Sequence, residues 1–400
     1  MDFKKSKVIF FSHTSNVGGA EKSLFELVVG LKKGFGIEPL VIFPDFKGNM
    51  PQTYKNEDIN FLNVALPWMK VSDTSSIKSQ KELIKSTAVK ALGELETIMA
   101  RFKPGMCFTQ TSTHSWGAIS AAMNHVPHFW NVREYGAADH ELFEVDENYV
   151  SKNEIISLSD QIYTSSNHLG IEIFGNSSLW KPLYSVPSQN LTKNFKNRRN
   201  PQLKLRIIFA GSFTKSKNPL LLIEAANLLR ESGVLFEIDF YGIGDKEIDM
   251  LNLIETYDLH NFVTIKGHSS NLQSQYCEYD VVVSCAPVEA FGRSLSEGAV
   301  YGCIPVYPDI DSWKERFSHE LNGLSYISQD ARDLSFQLSK LSDLGYRRKL
   351  SSGILKLVEN NFNIKPPEEI VFQDLNNLLN KDFKEKSINT SILKDLIQSN

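Results

Sequence analysis

The chain has 400 residues, more than a single ordinary core organises, and its 42% hydrophobic, 22% charged composition is that of a globular protein with two domains or three. A formal charge of -4 argues against nucleic-acid binding through a global positive field. Four cysteines, Cys107, Cys277, Cys285 and Cys303, have neither a CxxC pair nor metal-ligand spacing and read as reduced, mostly buried side chains.

Val8 to Phe11 reads as a buried parallel strand, with a turn at Asn16 to Gly19 after it. Ala20, Leu24, Leu27, Val28 and Leu31 then recur at helical spacing. The apolar run at Val8 to Phe11 is too short for the core of a signal peptide, and no run is long enough to span a bilayer. The expected location is therefore cytoplasmic, with peripheral contact at the inner membrane face left open. Leu40 to Phe43 is the next strand, stopped by Pro44. The stretch Lys78 to Lys103 carries six basic residues and reads first as a solvated helix face, second as a membrane-facing one. Cys107 to Thr109, His128 to Val132 and Ile162 to Thr164 continue the strand series.

From Ser185 to Lys204 the rhythm breaks into a polar stretch with Pro187, Pro201 and the basic residues Lys193, Lys196, Arg198 and Arg199, the composition of a linker. A second series comes after it, with strands at Ile207 to Ala210, Phe236 to Tyr241, Val263 to Ile265, Val281 to Ser284 and Ile304 to Tyr307, and a helix from Pro219. The expected architecture is α/β, two Rossmann-like domains with parallel sheets. Their expected boundaries are 1–186, a linker at 187–204, 205–362, and a C-terminal helical segment and tail at 363–400. The tail shows an amphipathic hint at Ile392, Leu393, Leu396 and Ile397.

The most informative segment runs from Pro287 to Val306. A strand ends, a loop carries Glu289 and Gly292, and a helix opens near Arg293. The glycine lets backbone N–H groups approach an anion, and the helix start adds its positive dipole end. Glu289 lies at the C-terminal edge of a parallel strand, where doubly wound sheets bind ligands, and a carboxylate there accepts hydrogen bonds from sugar hydroxyls. Glu297 can accept from a ribose. Ser294 to Glu297 also spell a capping box, the purely structural alternative for Glu297.

The Glu-x7-Glu spacing of Glu289 and Glu297, with Phe291-Gly292 between them and Gly302 to Val306 after, resembles the retaining glycosyltransferases of the GT-B fold, family-four group (glycosyl transferases group 1). Other segments match that family in order: Gly18 to Glu21, Gly211 to Pro219 with Leu222 to Ala225, Tyr241 to Asp245 and Val263 to His268. The resemblance implies an N-terminal acceptor-side domain, a C-terminal nucleotide-sugar donor domain, and two sheets facing across a cleft. It implies transfer of a hexose-like unit with retention from a nucleotide-diphosphate sugar, UDP-sugars first, to a glycan or lipid-linked saccharide.

Residue by residue, the resemblance places Glu289 on the transferred sugar, Glu297 on the ribose and Lys217 on the diphosphate. Amides around Phe291, Gly292, Arg293 and Ser294 would face the sugar phosphate, Gly18 and Gly19 the donor from the other lobe, and Gly242 and Lys266 the nucleotide side. Lys217 also stands beside a helix start if Asn218 is the N-cap and Pro219 the first helical residue. The family's usual arginine after Gly211 is replaced by Ser212, with Lys215 or Arg293 expected to supply the missing cation. Where many members carry a histidine and an acid, this chain has Arg133-Glu134, followed by Asp139-His140, like a branch of capsule and lipopolysaccharide sugar transferases. Arg133 and Glu134 are accordingly taken as catalytic candidates, with a structural ion pair as the alternative. Neither a metal nor a cofactor is expected: Asp309-Ile310-Asp311 follows a strand in the loop near the donor sugar, and Gly242-Ile243-Gly244 lacks the third glycine of a dinucleotide fingerprint. Two other functions fit the same residues: a sugar-nucleotide epimerase on this fold, and a non-catalytic nucleotide-sugar-binding partner in glycan assembly.

Overall fold

The computed structural model describes residues 6–45, 47–185, 202–269, 271–360, 362, 364–379 and 396. Most of the linker expected at 187–204, with its basic cluster, and the amphipathic hint apart from Leu396 lie outside the described residues.

Contacts divide the chain into two compact units, Met1–Ser185 with Lys365–Asn400, and Val186–Ile364. The first is built on strands β1 (Lys7–Phe11), β2 (Glu38–Phe43), β3 (Asn60–Asn63), β5 (Met106–Gln110), β6 (His128–Val132), β8 (Gln161–Thr164) and β9 (Trp180–Pro182). They form one parallel sheet in the order β3-β2-β1-β5-β6-β8-β9, and β4 (Lys70–Val71) pairs with β7 (Phe143–Glu144) as a separate antiparallel ribbon. Alternation along β1 sends Val8 and Phe10 to one face and Ile9 and Phe11 to the other, and each face meets its own helical layer. The basic stretch at 78–103 is the long helix Ile77–Phe102. Its Ile84, Ala88, Leu92, Leu95 and Met99 are buried, Lys81 pairs with Asp146, and Lys90 lies 3.9 Å from Glu94.

The C-terminal helix Pro367–Leu379 belongs to this first unit. Phe372 stacks on Phe35 with ring centroids 4.2 Å apart, Tyr163 Oη donates to Asp374 at 2.6 Å, and Lys181 Nζ reaches the same carboxylate at 2.5 Å. Leu396 is also buried in this unit's core.

The second unit contains β10 (Leu205–Ala210), β11 (Phe236–Tyr241), β12 (Val263–Gly267), β13 (Val281–Val283), β14 (Ile304–Pro308) and β15 (Leu324–Tyr326), all parallel, in the order β12-β11-β10-β13-β14-β15. Two Rossmann-like α/β units are thus present, as the strand series implies. In each sheet the order reverses once, between β1 and β5 and between β10 and β13. Neighbouring loops there leave in opposite directions and open a crevice at the strands' C-terminal ends. Short elements with little apolar run (β3, β4, β7, β9 and β15) are additions to the strands legible in sequence.

Candidate functional site

In the second unit, the crevice beside β10 and β13 is bounded by the loops after those two strands. The loop after β10 ends at Lys217 and Asn218, and the helix Pro219–Glu231 begins there, with Asn218 as N-cap and Pro219 in its first turn. The loop after β13 carries Glu289. The two meet: Lys217 Nζ donates to Glu289 Oε2 at 2.5 Å, with Glu289 nearly buried and Lys217 about one-fifth exposed. Residues 72 positions apart are joined because the reversal of strand order makes β10 and β13 neighbours.

Immediately after Glu289 the chain turns through Gly292 into the helix Arg293–Val300. Gly292 has φ +63°, and a Cβ there would stand 2.0 Å from the Trp313 ring, so both backbone and space require glycine. As N-cap, Gly292 offers no side chain to the first helical amides, and its own N–H has no partner among the described residues. The Gly292 N–H and the helix dipole therefore coincide next to the Lys217–Glu289 pair. The helix packs flush on the sheet because Gly298 lies over Val282 with no room for a Cβ.

The capping-box alternative is not realised, because the helix starts at Arg293 rather than after Ser294. Glu297 stands one turn further in and accepts from Arg293 Nε at 3.1 Å, both side chains being buried. Arg293 is therefore turned along its own helix, Ser294 lies half-buried in the first turn, and Phe291 is buried behind the loop. Lys215 and Ser212 are exposed on the loop after β10, where Ser212 Oγ lies 3.5 Å from Thr214 Oγ1. Gly242 and Gly244 have a packing reason of their own: a Cβ at either would strike the backbone of Gly211 or Phe213, at 1.9 and 2.2 Å. Lys266 reaches back to Asp239 at 3.6 Å. Asp309 and Asp311 both face Lys314, at 2.9 and 3.2 Å, an arrangement satisfied by an ammonium.

The first unit gathers a second polar cluster at the ends of β1, β5 and β6. Gly18 is the N-cap of the helix Gly19–Phe35, and its missing side chain leaves space for Glu21 Oε2, which a Cβ would meet at 2.5 Å. Glu21 thereby folds back so that Oε1 lies 2.9 Å from His13 Nδ1, an ion contact without aligned hydrogen-bond geometry. Burial pulls the His13 imidazole down, but the Glu21 carboxylate, with Glu134 behind it, outweighs burial and holds it above the ordinary 6.5. His114, fully buried with no aligned partner for either ring nitrogen among the described residues, is pushed down to about 3 by desolvation and by nearby His13.

Arg133 donates to Ser185 Oγ at 3.0 Å, and Glu134 accepts from Ser112 N at 2.5 Å, Ser112 Oγ at 2.8 Å and the Arg133 amide at 3.2 Å. Lys70 Nζ completes the group by donating to Ser112 Oγ at 3.2 Å. Asp139 spends its two oxygens on the amides of Tyr135 and Gly136, with His140 3.8 Å away. His13, His114 and Lys70 escape sequence reasoning. His13 alone had a signal, since it lies just after the first strand.

The model of the family described as Glycosyl transferases group 1 matches residues 191–353. Over this region the chain is similar to the group 1 glycosyltransferases, and its fold is GT-B. It is 24% identical over 306 residues to a poly(ribitol-phosphate) alpha-N-acetylglucosaminyltransferase of Staphylococcus aureus (strain COL), covering 74% of this chain and 58% of the relative. It is 29% identical over 153 residues to the putative colanic acid biosynthesis glycosyltransferase WcaL of Escherichia coli (strain K12), covering 36% of this chain and 37% of that one. The matches thus span less than two thirds of either relative. Among solved structures, Anabaena Alr3699/HepE in complex with UDP and glucose superposes with a TM-score of 0.72 at 16% identity, covering 93% of this chain and all of that one. A S. aureus TarM mutant in complex with fondaparinux, alpha-GlcNAc-glycerol and UDP gives 0.70 at 14%, covering 94% of this chain and 100% of that one.

Proposed function

We propose that this protein is a retaining glycosyltransferase that moves a hexose-like sugar from a UDP-sugar to a glycan or lipid-linked saccharide. The observation that carries the reading is the Lys217–Glu289 pair beside the uncapped helix start at Gly292. When the bond between the anomeric carbon and the diphosphate breaks, negative charge grows on the leaving oxygen. Lys217, the Gly292 N–H and the helix dipole are suited to stabilise it, an arrangement that typically contributes a few kcal/mol. Glu289 is suited to hold hydroxyls of the transferred sugar, and its bond to Lys217 keeps both groups oriented before the donor arrives.

Glu297 is assigned to the nucleotide ribose, with its Arg293 partner fixing the carboxylate. Arg133 and Glu134 are assigned to the acceptor side. The same-face reaction with retention, in which the departing phosphate accepts the acceptor's proton, needs no second carboxylate opposite Glu289, unlike the paired acids of retaining glycosidases. The reading invokes neither a metal nor a cofactor. Supporting it are the family match and the nucleotide named in the complexes of the two structural neighbours, HepE and TarM. No helix among the described residues is long and apolar enough to cross a membrane. The proposed location is the cytoplasm, with peripheral contact at the inner membrane face left open.

The test is a panel of nucleotide sugars screened by ligand-induced thermal shift, followed by transfer assays with the donor that binds. A bound donor raises apparent stability by mass action. Failure of every UDP-sugar to shift the wild-type transition would overturn the donor assignment. Turnover of the donor without an acceptor, to an epimer, would favour the epimerase instead.

A further inference from the structure

The loop from Glu289 to Arg293 has to hold an unusual shape, since Gly292 is left-handed and the helix after it has no side-chain cap. The group that holds it comes from a different element. Arg316 stands just after the short helix Asp311–Lys314 and is 4% exposed. Its guanidinium lies 3.8 Å from the centroid of the Phe291 ring and 4.8 Å from that of Trp313. One terminal nitrogen donates to Ser296 Oγ at 2.6 Å, inside the helix Arg293–Val300, and the other donates to the backbone carbonyl of Phe291. Arg316 thus grips the loop before Gly292 and the helix after it with a single planar group.

Peptide planarity carries this grip over to the next amide. The C=O of Phe291 and the N–H of Gly292 belong to one planar trans unit and point in opposite directions. With the carbonyl tied inward to Arg316, the Gly292 N–H is directed away from the guanidinium, and it has no partner among the described residues. If the peptide flipped, it would present a carbonyl oxygen where an anion is to bind. A planar fork that stacks on one ring while bonding two acceptors is a task for arginine; lysine cannot reproduce it.

We propose that Arg316 is a positioning residue that sets the Phe291–Gly292 peptide so that its N–H faces the distal phosphate of a bound nucleoside diphosphate. This rests on the donor-site reading above. It predicts a specific loss. Removing the fork should weaken the grip on the second phosphate while leaving the nucleoside and first phosphate untouched.

The experiment measures the affinities of the full-length chain for UDP and UMP, and for GDP and GMP, by calorimetry, in wild type, Arg316→Lys and Arg316→Ala. Both variants are expected to lose about tenfold in diphosphate affinity, the size of one hydrogen bond to a charged group, with monophosphate affinity changed less than about twofold. Guanidinium ion at low millimolar concentration should restore the diphosphate preference of Arg316→Ala, whose vacated box has the matching shape, and ammonium should not. Where Arg316→Ala gives no folded protein, Arg316→Lys carries the comparison alone. Equal losses for mono- and diphosphate, or an unchanged preference in Arg316→Lys, would overturn the positioning role. If the wild-type chain itself does not distinguish diphosphate from monophosphate, the donor-site reading fails instead, which separates the two.

Discussion

Lys217 and Glu289 meet at 2.5 Å across the point where the strand order of the second unit reverses, so an ammonium and a carboxylate share one crevice. The pair couples stability to function. Glu289 is nearly buried, so deleting Lys217 takes an ammonium away from a poorly solvated carboxylate. Lys217→Ala is expected to cost about 1–3 kcal/mol, and adding Glu289→Gln to it should recover part of that loss. Urea denaturation of the two single variants and the double one measures the coupling; strictly additive losses would show that the contact contributes nothing. Glu289→Ala is expected to fold and to lose transfer at least about a hundredfold, the scale of one transition-state contact. A folded variant with near-normal turnover would remove Glu289 from the mechanism.

Gly292→Ala is expected to be severely destabilising. The left-handed backbone disfavours any Cβ, and this one would lie 2.0 Å from the Trp313 ring. Strain and steric displacement together suggest about 2–4 kcal/mol. Calorimetry should find a lowered transition temperature together with loss of nucleotide binding. An alanine variant with unchanged stability would contradict the loop conformation.

The two histidines beside β1 and β5 respond to pH with opposite sign. His13 is held above its ordinary value, so the stability it draws from Glu21 is complete below about 6.5 and fades as pH rises through the folded value. The gap in unfolding free energy between wild type and Glu21→Gln should therefore be widest near about pH 6 and narrow toward about pH 9. A gap that does not change with pH would exclude a charged His13.

His114 is buried neutral and pushed to about 3, so the unfolded chain binds the extra proton between pH 6.5 and that value. Its burial contributes in full above about pH 6.5 and is lost on acidification by at most about 1.4 kcal/mol per pH unit. His114→Leu should remove that component from the acid limb of the stability profile. Identical acid limbs would mean that His114 is solvated or paired.

Asp374 anchors the returning C-terminal helix through Tyr163 and Lys181. Asp374→Asn keeps the shape but gives up the charge and is expected to cost about 1 kcal/mol, whereas Phe372→Ala, which removes a stacked ring from Phe35, should cost about 3 kcal/mol. Chemical denaturation of both variants checks the order, and a costlier Asp374→Asn would mean that charge rather than packing docks the helix.

The strands with unbroken apolar runs were legible from residues alone, because a strand covered on both faces must be apolar throughout. Asn60–Asn63 and Trp180–Pro182 were not, since they are edge strands with few apolar residues and little of the burial that marks a central strand. The placement of Glu289, Lys217 and Gly292 could be anticipated because backbone chemistry constrains them locally: a glycine turn, a helix start, a strand end. Arg316 could not, since its partners Phe291 and Ser296 lie 25 and 20 residues earlier, beyond the reach of any local pattern.

The sequence by itself determined that the chain forms two parallel α/β units and where a glycine turn opens a helix after a strand, because apolar periodicity and glycine act over a few residues. Only the tertiary structure decided that Lys217 faces Glu289, that Arg293 turns to Glu297, that Glu21 folds back on His13, and that the last helix belongs with the first unit. Those partners are set by which strands become neighbours and which side chains are deprived of water together, and both properties come into being only when the chain is folded.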